Sequence, residues 1–186
     1  MNKLTLILIS LILPYSSTLC AYNESHTVYS GYLYGKLKGD TAKGPIINYR
    51  YETENAWGLL VSLLYLNSNH KVPFKDPRFI TPSTIQYKTK TTALLIGPTY
   101  RITPKFSVYA QMGPNKLKYQ EDKFHPEINT TDTHRVETTS VIGQIGIDYN
   151  PIKEIAFNLG YLYSDTTANK RHIELNSIQL SLGYRF

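Results

Sequence analysis

The sequence predicts an all-β chain folded as an eight-stranded antiparallel up-and-down β-barrel, and three observations carry that expectation. Apolar and polar residues alternate at period two in segments of about ten residues, with no convincing run at helical spacing. Turn-forming short links alternate along the chain with longer polar ones. The C-terminus gives the clearest alternation: Ile178, Leu180, Leu182, Tyr184 and Phe186 share one face, and Ser177, Gln179, Ser181, Gly183 and Arg185 the other.

Residues 1–21 stand apart as a removable export signal. Lys3 gives a positive start, residues 4–13 a short apolar stretch, and residues 14–21 a more polar tail that ends in small residues, so cleavage is expected after Ala21. Pro14 interrupts any buried helix there. A lipid anchor on Cys20 is disfavoured because Leu19, rather than a small residue, precedes it. The remaining chain, 22–186, has 165 residues, net charge +5 and no cysteine. No stretch reaches the roughly 18–20 apolar residues of a spanning helix. With 16 Tyr, 6 Phe and 1 Trp, the chain has too much surface to bury for a disordered one.

The strands follow in order. Residues 27–37 have a weak pattern. Ile47, Tyr49 and Tyr51 then oppose Asn48, Arg50 and Glu52. Residues 57–67 are apolar on both faces, which leaves their facing open. Leu94, Ile96, Pro98 and Tyr100 oppose Ala93, Gly97, Thr99 and Arg101, and residues 106–119 follow with a weaker pattern. Val141, Ile145, Ile147 and Tyr149 oppose Ser140, Gln144, Gly146 and Asp148. Ile155, Phe157, Leu159, Tyr161 and Tyr163 oppose Ala156, Asn158, Gly160, Leu162 and Ser164, before the terminal strand. Tight links are expected at 52–55, 103–105 and 150–153, long polar ones at 68–83 and 120–134, and intermediate ones at 38–43 and 165–171. That layout matches a transmembrane barrel, with short periplasmic turns at one end and four extracellular loops at the other.

A soluble barrel would put the apolar face inside, whereas a membrane barrel of this size turns it outward around a lumen filled by side chains. Tyr49, Tyr51, Trp57, Tyr100, Phe106, Tyr149, Tyr184 and Phe186 all lie on the apolar face close to the short turns or the C-terminus. Such a ring at one height is what a membrane interface selects, because these side chains bury a ring and keep a polar tip wet. Arg50, Glu52, Arg101, Asp148 and Arg185 fall on the opposite face and are expected to pair as a charge network in the lumen. On this facing, arginine at Leu180 or Leu159 should be costly and arginine at Ser181 or Asn158 less so.

Four short motifs resemble the Ail/OmpX/PagC/Lom family of small outer-membrane proteins: Asn48-Tyr49-Arg50-Tyr51-Glu52, Gly97-Pro98-Thr99-Tyr100-Arg101-Ile102, Tyr149-Asn150-Pro151-Ile152 and Leu182-Gly183-Tyr184-Arg185-Phe186. The resemblance implies the outer membrane of a Gram-negative bacterium, lipopolysaccharide as a neighbour, and a terminal Phe186 read by the outer-membrane assembly machinery. It also implies loops that mediate adhesion, invasion or serum resistance by binding host cell-surface or matrix molecules. A structural or envelope-stress barrel without a host receptor is the alternative. One departure is Gln111-Met112-Gly113-Pro114-Asn115 in the fifth strand, where Pro114 lacks a ladder donor and is expected to bend or end the strand.

No catalytic or cofactor site is expected. His26, His70, His125, His134 and His172 are dispersed, His172-Ile173-Glu174 has no nucleophile beside it, and no Gly-rich phosphate loop exists. The link 68–83 is basic with interleaved aromatics, and Lys71, Phe74, Lys75, Arg78 and Phe79 form a candidate surface for sulfated glycans or acidic partners. The link 120–134 has balanced charge. Export makes nucleic acid an improbable partner despite a pI near 9.2, and a monomer is expected.

Overall fold

A computed structural model describes residues 25–37, 39–74, 83–125, 130–168 and 171–186. The proposed export signal lies outside these residues, as do Lys75, Arg78 and Phe79. Eight strands follow one another: β1 (Ser25–Leu37), β2 (Asp40–Glu52), β3 (Trp57–Phe74), β4 (Ser83–Thr103), β5 (Phe106–His125), β6 (Thr130–Tyr149), β7 (Ile155–Ala168) and β8 (Arg171–Arg185). Each pairs antiparallel with the next, and β8 returns to β1, so the sheet closes into a barrel. Closure leaves no edge within the wall, which is the condition for crossing hydrocarbon with strands. At the seam, Phe186 and His26 exchange backbone hydrogen bonds of 2.9 and 3.0 Å.

The short turns form where expected. Ala56, at φ 59°, closes the β2–β3 turn, and the Thr103 hydroxyl accepts from the amides of Lys105 (3.3 Å) and Phe106 (3.1 Å) in the β4–β5 turn. The long links do not form as expected. β3 continues to Phe74 and β4 starts at Ser83, while β5 continues to His125 and β6 starts at Thr130. The link 38–43 likewise shrinks to a turn through Gly39 at φ 88°, where the missing side chain admits the left-handed backbone. These stretches escape a reading based on hydrophobic alternation because they rise above the apolar belt, where water wets both faces and polar residues stand on each. Their threonines, including Thr89, Thr91, Thr92, Thr131, Thr133, Thr138 and Thr139, still favour strand.

The result is a barrel with one tall side. The β2–β3 ladder ends at Ala42↔Ser68 and the β6–β7 ladder at Gly143↔Tyr163, but β4–β5 pair up to Thr84↔Phe124 and β5–β6 up to His125↔Thr130. β3 to β6 therefore stand beyond the barrel wall as a sheet.

Pro114 does not end β5. The β5–β6 ladder keeps its register through Pro114↔Val141, whereas on the β4 side no pairing occurs between Ala93↔Asn115 and Ile96↔Met112. Each residue of an antiparallel strand directs its N–H toward one neighbour only, so the missing donor interrupts one ladder and spares the other.

The outer wall is apolar. Leu180 (64% exposed), Met112 (65%) and Val141 (64%) belong to a belt that covers all eight strands. The aromatic ring at the short-turn end is present, with Trp57 against Tyr100 (ring centroids 5.0 Å apart), Phe106 against Tyr149 (4.8 Å) and Tyr184 against Phe186 (6.3 Å). A second ring, not foreseen, bounds the belt at the tall end: Tyr34, Tyr65, Tyr161 and Tyr163 all point outward. Above it the outward positions become Lys36, Lys43, Lys90, Lys116 and Lys118, all exposed.

Candidate functional site

The lumen is filled along its length, and in two different ways. Toward the tall end an apolar plug is built from Leu33, Leu37, Ile46, Leu64, Leu66, Leu95, Leu117, Ile142, Leu162 and their neighbours. This plug is why β3 is apolar on both faces: Leu60, Leu64 and Leu66 point in while Leu59, Leu63 and Tyr65 point out.

Toward the short turns the lumen is charged. All five charged residues expected there converge: Arg50 Nη1 lies 3.1 Å from Asp148 Oδ2, and Arg50 Nη2 lies 3.4 Å from Glu52 Oε2. Glu52 also meets Arg101 (3.3 Å) and Arg185 (3.2 Å). The chain positions them simply. Arg50 and Glu52 are alternate residues of β2 and so share its inner face, and closure of the barrel carries Arg185 of β8 past β1 to the same level. The side chains of Arg50 and Asp148 have no exposed surface. Two charges so enclosed are tolerable only if their other polar atoms are also satisfied.

Uncharged groups, which sequence reasoning missed, supply part of that satisfaction, and Arg50 Nε is left without a hydrogen-bond partner. Arg50 donates to Asn150 Oδ1 (3.2 Å) and stacks over the Tyr29 ring at 5.6 Å. Asp148 accepts from Asn158 Nδ2 (2.7 Å), and Asn158 Oδ1 in turn accepts from the Tyr109 hydroxyl (3.1 Å) and Gln179 Nε2 (2.7 Å). Gln144 donates to Tyr109 and to Gln179, which extends the chain of bonds to the plug. The glycines opposite make room for the two tyrosines. A Cβ on Gly183 would collide with the Tyr29 ring, and one on Gly146 or Gly160 with the Tyr109 hydroxyl. A signal was available, because these glycines fall on the polar face of their strands.

This packing corrects one expectation. Asn158 is 1% exposed and holds three hydrogen bonds, so an arginine there has no room and the lumen face is not the cheap side for a new charge. The cheap positions are those above the belt.

Of the residues expected in the second link, Lys71 is exposed on β3 opposite Gln86, and Phe74 closes β3. On the tall sheet the ion pairs include Lys116 and Lys118 on Glu137 (2.9 and 3.0 Å) and Lys88 on Asp122 (2.9 Å). Asp122 also accepts from Gln120 (2.8 Å) and from Thr133 (2.9 Å), so one carboxylate ties β4, β5 and β6 together. These bonds, that from Gln120 foremost, hold its carboxyl below the usual range.

The model of the outer membrane protein beta-barrel domain matches residues 21–186. The chain belongs to that family. Its relatives include the virulence membrane protein PagC of Salmonella typhimurium, 24% identical over 173 residues and 89% of each chain. The attachment invasion locus protein of Yersinia enterocolitica is 27% identical, with 92% of this chain and 85% of that protein covered. Outer membrane protein X of Escherichia coli is 26% identical over 86% of this chain and 85% of its own. The crystal structure of Ail from Yersinia pestis superposes with a TM-score of 0.67 over 87% of this chain and 98% of that one, at 22% identity. That protein has also been solved with the heparin analogue sucrose octasulfate. This outer membrane protein beta-barrel thus shares its fold with Ail.

Proposed function

We propose that the barrel is an adhesin of the Gram-negative outer membrane, which presents its tall sheet and four loops outside the cell to bind host or matrix polyanions such as sulfated glycans. The observation that carries this reading is the height of β3 to β6 beyond the upper aromatic ring, with exposed cations on the part left in water. A plug and a charge network that close the lumen support binding rather than passage. The names of its relatives, attachment invasion locus protein and PagC, support the same use. The barrel acts as a monomer and without catalysis.

The test replaces Lys71, Lys75 and Arg78 together with serine. Binding to immobilised heparin and to cells should be lost while heat-modifiable mobility is unchanged, because the Lys71 side chain is exposed and loops contribute little to the ladders. Raising salt to about 0.5 M should mimic the variant, since exposed charges are screened within a few ångströms there. Adhesion that survives both would rule out this surface. A second reading, a barrel that serves only to hold lipopolysaccharide, draws on Lys36, Lys43, Lys90 and Lys116, which crown the belt at the level of lipid phosphates. It predicts that the triple variant adheres as the parent does.

Export and assembly belong to the same reading: residues 1–21 are removed and Phe186 is the terminal signal for the assembly machinery. The Phe186 ring stacks between His26 (5.8 Å) and Tyr184 (6.3 Å) at the closing seam. Deleting Phe186 should therefore leave periplasmic or precursor-sized protein in place of a heat-modifiable barrel, and normal assembly of the truncated chain would contradict the assignment.

A further inference from the structure

Where the apolar plug ends and the tall sheet begins, the barrel mouth holds a cavity of about 250 Å³. Its floor is the top of the plug, Leu37 and Ile173, both nearly buried. One wall is aromatic: Tyr87 of β4 and Tyr119 of β5 line it, their rings stacked with centroids 6.0 Å apart. At the rim, Asp40 at the start of β2 meets His70 Nδ1 at 3.3 Å. His70 is the cross-strand partner of Tyr87, and Tyr87 of Glu121, so Glu121 brings a second carboxylate to the same face one strand further on. The Glu121 carboxylate lies 3.3 Å from Lys123 Nζ.

We propose that this cavity binds an organic cation, an ammonium or guanidinium group carried on a short hydrocarbon stem. Each part of the ligand has its counterpart. A carboxylate at the rim meets the charge, tyrosine rings favour a cation beside their faces, and the leucine and isoleucine floor takes the methylenes of the stem. An anion would face the Asp40 carboxylate directly, so the rim is opposite in sign to the glycan surface proposed above and does not depend on it. The cation could be a free amine or the side chain of a lysine or arginine in a protein partner. The chemistry is the same, and the experiment separates the two.

The full-length barrel in detergent micelles is titrated at pH 8 with agmatine, with an arginine-containing tetrapeptide amide, and with N-acetylglucosamine as the neutral control, while the NMR signals of Tyr87 and Tyr119 are followed. The expected result is a saturable shift with both cations and none with the sugar. Asp40→Asn should weaken binding by about tenfold or more, the loss that accompanies a charged hydrogen bond, and Tyr87→Leu should weaken it as well, while Lys153→Ser, in the exposed turn at the opposite end of the barrel, leaves it unchanged. Tighter binding of the peptide than of agmatine would assign the ligand to a protein partner, and the reverse to a free amine. Absence of a saturable shift with either cation would overturn the proposal. So would an Asp40→Asn barrel that folds, by heat-modifiable mobility, and binds as the parent does, or binding of the sugar in preference to the cations.

Discussion

Asp148→Ala is expected to lower the free energy of unfolding in lipid vesicles by about 3–5 kcal/mol, because it strands a cation where no water reaches. The side chain of Arg50 has no exposed surface, and Asp148 is its closest acid at 3.1 Å. The other acid, Glu52, lies 3.4 Å away and is already shared with Arg101 and Arg185, so it cannot take up the whole charge. Loss of the carboxylate also leaves Asn158 Nδ2 without the 2.7 Å bond that anchors the Tyr109, Gln144 and Gln179 side of the lumen. Part of the cost should be recovered when the cation is removed as well. The double variant Arg50→Met and Asp148→Leu should be more stable than Asp148→Ala, since well-packed apolar groups replace a buried pair at little or no net cost. The recovery will be incomplete, because Asn150 and Asn158 each lose a partner worth about 1 kcal/mol. A double variant no better than the single one would mean that the pair contributes through shape rather than charge.

The belt and the lower lumen were legible in the sequence because one physical rule governs both. In a wall one residue thick, lipid on one side and a polar interior on the other force strict alternation, and Ile178 to Phe186 or Ile155 to Tyr163 can hardly be read otherwise. The convergence of Arg50, Glu52, Arg101, Asp148 and Arg185 was legible for the same reason, since charges on inner faces near one end of a closed barrel have little else to meet. Two regions were not legible. The apolar plug erases the contrast between faces, as in β3, where an inward Leu64 looks like an outward Leu63. Above the upper tyrosine ring the contrast vanishes in the other sense: β4 and β5 carry Lys88, Thr89, Lys90 and Lys118, Tyr119, Gln120 with no apolar face, and only pairing between strands reveals their extent. The cavity at the mouth was hidden as well, since Asp40, His70, Tyr87 and Tyr119 come from four strands and become neighbours only through the register.

That the apolar wall meets hydrocarbon is tested most directly by moving one arginine along one face of one strand. Leu180 and Asn176 both point outward from β8, but Leu180 sits in the middle of the belt between Tyr32 and Leu159, whereas Asn176 stands above it, beside Lys36 and Tyr163. In a bilayer, Leu180→Arg should cost about 2–4 kcal/mol and Asn176→Arg about 0–1 kcal/mol, because the penalty for a charge falls from the midplane toward the interface. Leu180 is already 64% exposed on the barrel surface, so the same substitution on a wall bathed in water would cost almost nothing. The measurement is the urea-unfolding free energy of both variants in the same lipid vesicles. A clear gap, with Leu180→Arg the less stable, is the predicted result; equal values, or a Leu180→Arg barrel more stable than its parent, would contradict a membrane-facing wall.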